Sequence, residues 1–100
     1  MELITASELR IKLANSEHVI IVDVREQWEY EEIQLHPTTK NYPLGNLPML
    51  LGQMSDLKNM SFVVHCHTGV RSNQAQKYLL KNGFHKVINL VGGLEGYLID

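Results

Sequence analysis

The stretch Val63-Val64-His65-Cys66-His67-Thr68-Gly69-Val70-Arg71-Ser72, VVHCHTGVRS, passes abruptly from apolar to polar character and holds the only cysteine of the chain. Upstream, Ser61 to His65 has the composition of a buried strand. Downstream, Ser72 to Asn82 places Ala75, Tyr78 and Leu79 at helical spacing. It closes on Asn82-Gly83, residue types that tolerate a left-handed turn. A strand joined to a helix by a short loop is the building unit of a parallel α/β sheet, so this segment sets the fold class.

The flanking sequence repeats that alternation. Thr5-Ala6-Ser7-Glu8 fits a capping box, in which the threonine oxygen and the glutamate each take up a helix-end amide. A helix is expected from about Ser7 to Ala14, with Leu9 and Leu13 inward. His18 to Val22 is a continuous β-branched run suited to a strand covered on both faces. Glu26 to Ile33 reads as a short acidic helix with Trp28 packing inward. Gln34 to Pro48 carries all three prolines and reads as irregular, with a very short strand at Asn41-Tyr42. Leu47 to Leu57 is a helix interrupted by Gly52, Lys86 to Leu90 a final strand, and Gly92-Gly93 leads into a short helix ending at the C-terminus.

Bulk properties exclude several classes. One hundred residues with 44% hydrophobic content make one core. Nine basic against eleven acidic side chains, scattered without runs, leave no footprint for nucleic acid. No window reaches the roughly 18 apolar residues of a membrane span, and the N-terminus lacks the pattern of an export signal. A lone cysteine forms no internal disulfide, which suits a reducing compartment, so a cytoplasmic location is expected.

A cysteine after an apolar strand is more often a small buried hydrophobe than a nucleophile. Its neighbours favour the second reading. Gly69 can take positive φ, letting successive amides turn toward one centre as an anion-binding nest. The following helix adds its N-terminal partial charge and Arg71 a permanent one. Such surroundings lower a cysteine pKa from about 8.5 into the range of about 3.5 to 7.5. They suit an oxyanion substrate equally well. His65 and His67 invite a metal reading, but no second Cys/His cluster stands at zinc spacing, and no metal or cofactor is expected.

Four ordered segments resemble the rhodanese family of sulfurtransferases. Cys66 to Ser72 resembles its C-x-x-G-x-R-S active-site loop, and Asp23-Val24-Arg25-Glu26 with Glu29-Tyr30 its D-V-R-x-x-x-E-[FY] segment. Asn41-Tyr42-Pro43-Leu44 is similar to its N-I-P-L element, and VINLVGGLEGY to its V-x-x-L-x-G-G-x-x-x-W ending. The resemblance implies one rhodanese-like domain over residues 1–100: an α/β fold whose central, mainly parallel five-stranded sheet carries helices on both faces. It implies sulfane-sulfur transfer from thiosulfate or a related persulfide donor to cyanide or a thiol, through a Cys66 persulfide. His67, Thr68, Gly69, Val70 and Arg71 would bind substrate, while Asp23 and Arg25 brace the site; the plainer reading of that pair is a solvated turn. A sulfur-accepting partner protein is also implied, with neither membrane nor nucleic acid as a partner.

Two departures stand out. Gln34 to Thr39 replaces a G-H-I-P-G-A segment that borders the active site in the family, and Tyr97 stands where tryptophan is usual. Two other functions fit the loop. A sulfur carrier or partner-docking module could use the same fold, although inactive versions often lack the nucleophile. A Cys-dependent phosphatase or arsenate reductase would also need Cys and Arg around an oxyanion. Those enzymes resemble C-x5-R, whereas Cys66 to Arg71 is C-x4-R, a smaller cradle suited to a protruding sulfur.

Overall fold

The computed structural model describes residues 1–99. Its strands are β1 (Leu3–Ile4), β2 (Ile21–Asp23), β3 (Lys40–Asn41), β4 (Ser61–His65) and β5 (Lys86–Leu90). Its helices are α1 (Ala6–Ala14), α2 (Gln27–Glu32), α3 (Leu47–Leu50), α4 (Val70–Lys81) and α5 (Gly93–Ile99). The strands form one sheet in the order β1-β5-β4-β2-β3, every neighbouring pair parallel. The expected helix ending at the C-terminus is α5 as far as Ile99; Asp100 lies outside the described residues.

Side-chain alternation along β4 explains the layers. Val63 faces one side, where Ile4, Leu9 and Leu90 are buried and Leu13, Leu35 and Tyr97 pack against them. Phe62, Val64 and Cys66 face the other, in a larger cluster with Val22, Leu47, Met54, Ala75, Leu79 and Phe84. Helices α1 and α5 meet on the first side, and α4 lies over β4 and β5 on the second. Tyr97 is accommodated by the core, with Arg10 stacked 4.2 Å from its ring centroid.

Ser61 to His65 and Lys86 to Leu90 form strands over the expected residues, and the capping box at Thr5 and Glu8 closes α1. Elsewhere tertiary context overrides local pattern. Of the β-branched run His18 to Val22, only Ile21 and Val22 lie in the strand, which continues to Asp23 in register with Val63 to His65; Ile20 adds one carbonyl that accepts from the Val63 amide, and His18 is exposed. The helix expected from Leu47 breaks after Leu50 into turns and a 3-10 segment at Ser55–Asn59. Helix α4 begins at Val70, two residues earlier than expected, because Gly69 at φ 111° serves as its N-cap. β1 is too short for any periodicity to reveal; it is recruited by β5, with Ile4 opposite Leu90.

Trp28 does not pack inward. It is 62% exposed, because α2 meets the rest of the fold through polar groups. The Tyr30 hydroxyl donates to the Thr39 carbonyl, and Glu29 receives Arg71. The Gln34 to Thr39 segment runs away from the carboxyl edge of the sheet. Leu35 packs against the cluster of Ile4, Leu9, Val63 and Leu90, while His36 and Thr38 line a cavity with Leu13, Glu17 and His18 near the strands' amino ends.

Candidate active site

Cys66 directly follows β4, and the three residues His67 to Gly69 separate it from the start of α4. It is 1% exposed, and its side chain belongs to the same buried row as Phe62 and Val64. It therefore packs as a core residue while its sulfur collects hydrogen bonds. The Gly69 amide donates to Sγ at 3.0 Å and the Ser72 amide at 3.4 Å. The positive φ of Gly69 is what turns the loop amides toward the sulfur.

Ser72 is the group that the residue pattern did not single out. Its Oγ lies 3.4 Å from the sulfur and 3.2 Å from the Gly69 carbonyl. A hydroxyl has one proton, so the partnership depends on ionisation. With a thiol, the S–H donates to Oγ and the hydroxyl donates to Gly69; with a thiolate, the hydroxyl turns to the sulfur. Burial pushes the Cys66 pKa up. The Ser72 hydroxyl and the amides of Ser72, Gly69 and Thr68 outweigh that cost and hold it below the ordinary thiol value. The signal in the sequence was the position itself: Ser72 is the third residue of a helix whose first turn faces Cys66.

Ser72→Ala should therefore raise the Cys66 pKa and move the rise of thiolate reactivity to higher pH. At neutral pH alkylation by iodoacetamide should slow about tenfold. Above the titration the variant should match or exceed the native rate, because a more basic thiolate is the better nucleophile. A pH–rate profile for alkylation checks both limbs.

Arg71 reaches the mouth of the loop but does not extend an open guanidinium into it. Its two terminal nitrogens donate to the Glu29 carboxylate at 2.7 and 3.1 Å. This fork-to-fork contact, with smaller help from the Glu26 amide, outweighs burial and brings the Glu29 pKa down to about 2. Glu29 is separated from Arg71 by most of two structural units, so no local spacing connects them; the E of the D-V-R-x-x-x-E-[FY] match was the available signal.

Asp23 and Arg25 form a buried unit beside the loop. Arg25 donates to both Asp23 oxygens at 2.7 to 3.0 Å and to the Ile33 carbonyl at 2.6 Å. Asp23 Oδ2 lies 3.9 Å from His65 Nε2, whose other ring nitrogen stands 3.0 Å from the Cys66 carbonyl oxygen. Burial lowers the His65 pKa, so the ring is neutral and Nδ1–H donates to that carbonyl. His65 Nε2 has no hydrogen-bond partner among the described residues, so His65 holds the Cys66 carbonyl without help from Asp23 and Arg25, which stand beside it as a buried ion pair, no solvated turn. His67 and Thr68 are exposed, and Val70 is 67% exposed.

A second clamp comes from β5. The turn Val91 to Gly93 passes under the loop, where Leu94 N–H donates to the Cys66 carbonyl and Glu95 N–H to the His67 carbonyl, both at 2.9 Å. Gly92 and Gly93 have φ of 77° and 60°, respectively. The glycine pair was visible in the sequence, but its contact with the cysteine loop was not.

The model of the rhodanese-like domain matches residues 5–100. A sulfurtransferase of Allochromatium vinosum is 32% identical over 91 residues, covering 91% of this chain and 82% of that protein. A putative sulfur carrier protein of Bacillus subtilis is 33% identical over 94 residues, where this chain spans only 49% of the relative's length. Among solved structures, a rhodanese-like domain protein from Staphylococcus aureus superposes with a TM-score of 0.86 at 35% identity, covering 97% of this chain and 91% of that one.

Proposed function

The chain belongs to the rhodanese-like domain family, which includes sulfurtransferases and sulfur carriers, and we propose that it passes a sulfane sulfur from donor to acceptor through a persulfide on Cys66. The observation that carries this reading is the set of amides converging on Sγ at the carboxyl end of β4. With thiosulfate as donor, the Cys66 thiolate attacks the outer sulfur. A new S–S bond forms to Cys66, the old S–S bond breaks, and its electron pair leaves with sulfite. An acceptor thiolate or cyanide then attacks the terminal sulfur, and the pair of the broken bond returns to Cys66. No metal or cofactor enters either step.

Thr68, Gly69 and Ser72 hold the charge on Cys66 before the first step, and the amides of the loop from His67 to Arg71 take up the terminal persulfide charge after it. Asp23 and Arg25 brace the site as a buried ion pair beside the loop, while His65 holds the Cys66 carbonyl. Arg71, with its nitrogens on Glu29, sets the wall of the mouth. That commitment also weighs against phosphatase or arsenate reductase chemistry, in which a guanidinium must embrace the oxyanion. The relative named as a sulfur carrier supports a second reading, delivery of the Cys66 sulfur to an acceptor on a partner protein.

Incubation with thiosulfate should add the mass of one sulfur to the intact protein, and cyanide should remove it. A chain that stays at its starting mass with thiosulfate and with an alkyl persulfide would sink the proposal. Hydrolysis of an aryl phosphate in that same preparation would replace it with the phosphatase reading.

A further inference from the structure

We propose that Glu29 is a specificity residue: by holding Arg71 in a bidentate ion pair it cancels the one permanent positive charge of the cysteine loop, and so selects sulfur donors with one negative charge or none over dianions such as thiosulfate. This rests on the sulfur-transfer reading above and names its donor class, alkyl persulfides RSSH.

The charge map of the carboxyl edge carries the argument. Arg71 is paired with Glu29 at 2.7 Å and Arg25 with Asp23 at 2.7 Å, so both arginines near Cys66 are neutralised. The lysines stand elsewhere. Lys40 and Lys86 open β3 and β5 at the opposite edge, Lys58 precedes β4, Lys12 and Lys81 lie at the far ends of α1 and α4, and Lys77 is nearly two turns along α4. Meanwhile α2 carries Glu31 and Glu32 behind its cap Glu26 without a single base, and Glu95 follows the turn that clamps the loop. Among the described residues, the segments around the mouth therefore have no uncompensated permanent cation and several uncompensated carboxylates. A dianion approaching this edge gains only the loop amides, against a repulsion that acts on it twice as strongly as on a monoanion. An alkyl persulfide avoids that penalty. The Cys66 thiolate attacks its terminal sulfur, the original S–S bond breaks, and the pair leaves as the thiolate RS⁻, with no further reactant needed.

Second-order rates of Cys66 loading, read by intact mass at fixed pH, test the idea with three probes: thiosulfate (dianion), methanethiosulfonate (monoanion) and 2-hydroxyethyl persulfide. Glu29→Gln leaves Arg71 uncompensated, and the ratio of thiosulfate to methanethiosulfonate rates should rise about fivefold. The gain should fade at about 0.5 M salt. Glu29→Asp keeps the charge and should keep the native ratio. If Glu29 served only to hold the loop in shape, Glu29→Gln would slow all three donors together and leave the ratio unchanged, which would overturn the proposal. The native protein supplies a measurement independent of how the variants fold. Its thiosulfate rate should stay level or rise with added salt, and a steep fall, the mark of an attracting cation, would equally overturn it. Loading of the native protein from none of the three probes would instead remove the sulfur-transfer reading itself.

Discussion

Cys66→Ser should fold, and should take no sulfur from any donor, a loss of at least ~10⁴-fold in loading rate. The reason is chemical rather than spatial. The cradle is arranged to keep a thiolate, and a serine hydroxyl in the same place stays protonated at any pH where the protein is folded. An oxygen in that position also cannot become a persulfide. The fold should tolerate the change, because the smaller hydroxyl inherits the donors that now meet the sulfur, the amides of Gly69 and Ser72. The cost is the transfer of one more polar group into the cluster around Val64 and Ala75, about 1 kcal/mol. Thermal unfolding beside intact-mass loading separates the two effects. Residual loading at a percent or more of the native rate would mean that sulfur is being held somewhere other than Cys66.

The unit from β4 through α4 was legible because each of its signals is local. An apolar run gives way to polar residues, a glycine stands where the chain must turn, and helical spacing resumes. The parallel order followed from the alternation of strands and helices. What escaped is what depends on distant segments. β1 is defined by β5 alone, Trp28 stays outside because Tyr30 and Glu29 already tie α2 down, and the β-branched run at His18 to Val22 pairs only where β4 lies beside it. The site divides along the same line. Cys66 and Gly69 could be read from their neighbours, and Asp23 and Arg25 from a resemblance. The commitment of Arg71 to Glu29 and the use of Ser72 as a reversible donor required the third dimension.

Residual surprise lies in how much of the cysteine's backbone is held from outside its own loop. His65 Nδ1–H and Leu94 N–H converge on the Cys66 carbonyl, and Glu95 N–H takes the His67 carbonyl. A peptide plane fixed in this way presents the next amides in a constant direction, which is the condition for electrostatic stabilisation without reorganisation. Gly93, with no Cβ to hold the turn away from the His67 and Cys66 carbonyls, is what lets the turn after β5 come this close to the loop.

Gly93→Ala tests that point with the second large effect. A Cβ at Gly93 would lie 2.5 Å from the His67 carbonyl oxygen, 2.7 Å from its carbon and 2.8 Å from the Cys66 carbonyl oxygen, all backbone atoms. None of them can swing aside as a flexible side chain could. Relief requires the turn and the loop to separate, which breaks the hydrogen bonds from Leu94 to the Cys66 carbonyl and from Glu95 to the His67 carbonyl. With the left-handed φ of 60° added, the expected loss is about 3 kcal/mol, a fall in Tm on the order of 15 °C. Loading of Cys66, measured well below the new Tm, should fall about 100-fold, since a displacement near 1 Å in a preorganised site costs that much. Gly92→Ala is the internal control. Its φ of 77° carries the same backbone strain, but its Cβ meets only the Gly96 Cα, at 3.6 Å. It should lose about 1 kcal/mol and keep most of its loading rate. If the two variants behaved alike, the effect would be one of backbone strain, and the turn after β5 would have no claim on the cysteine loop.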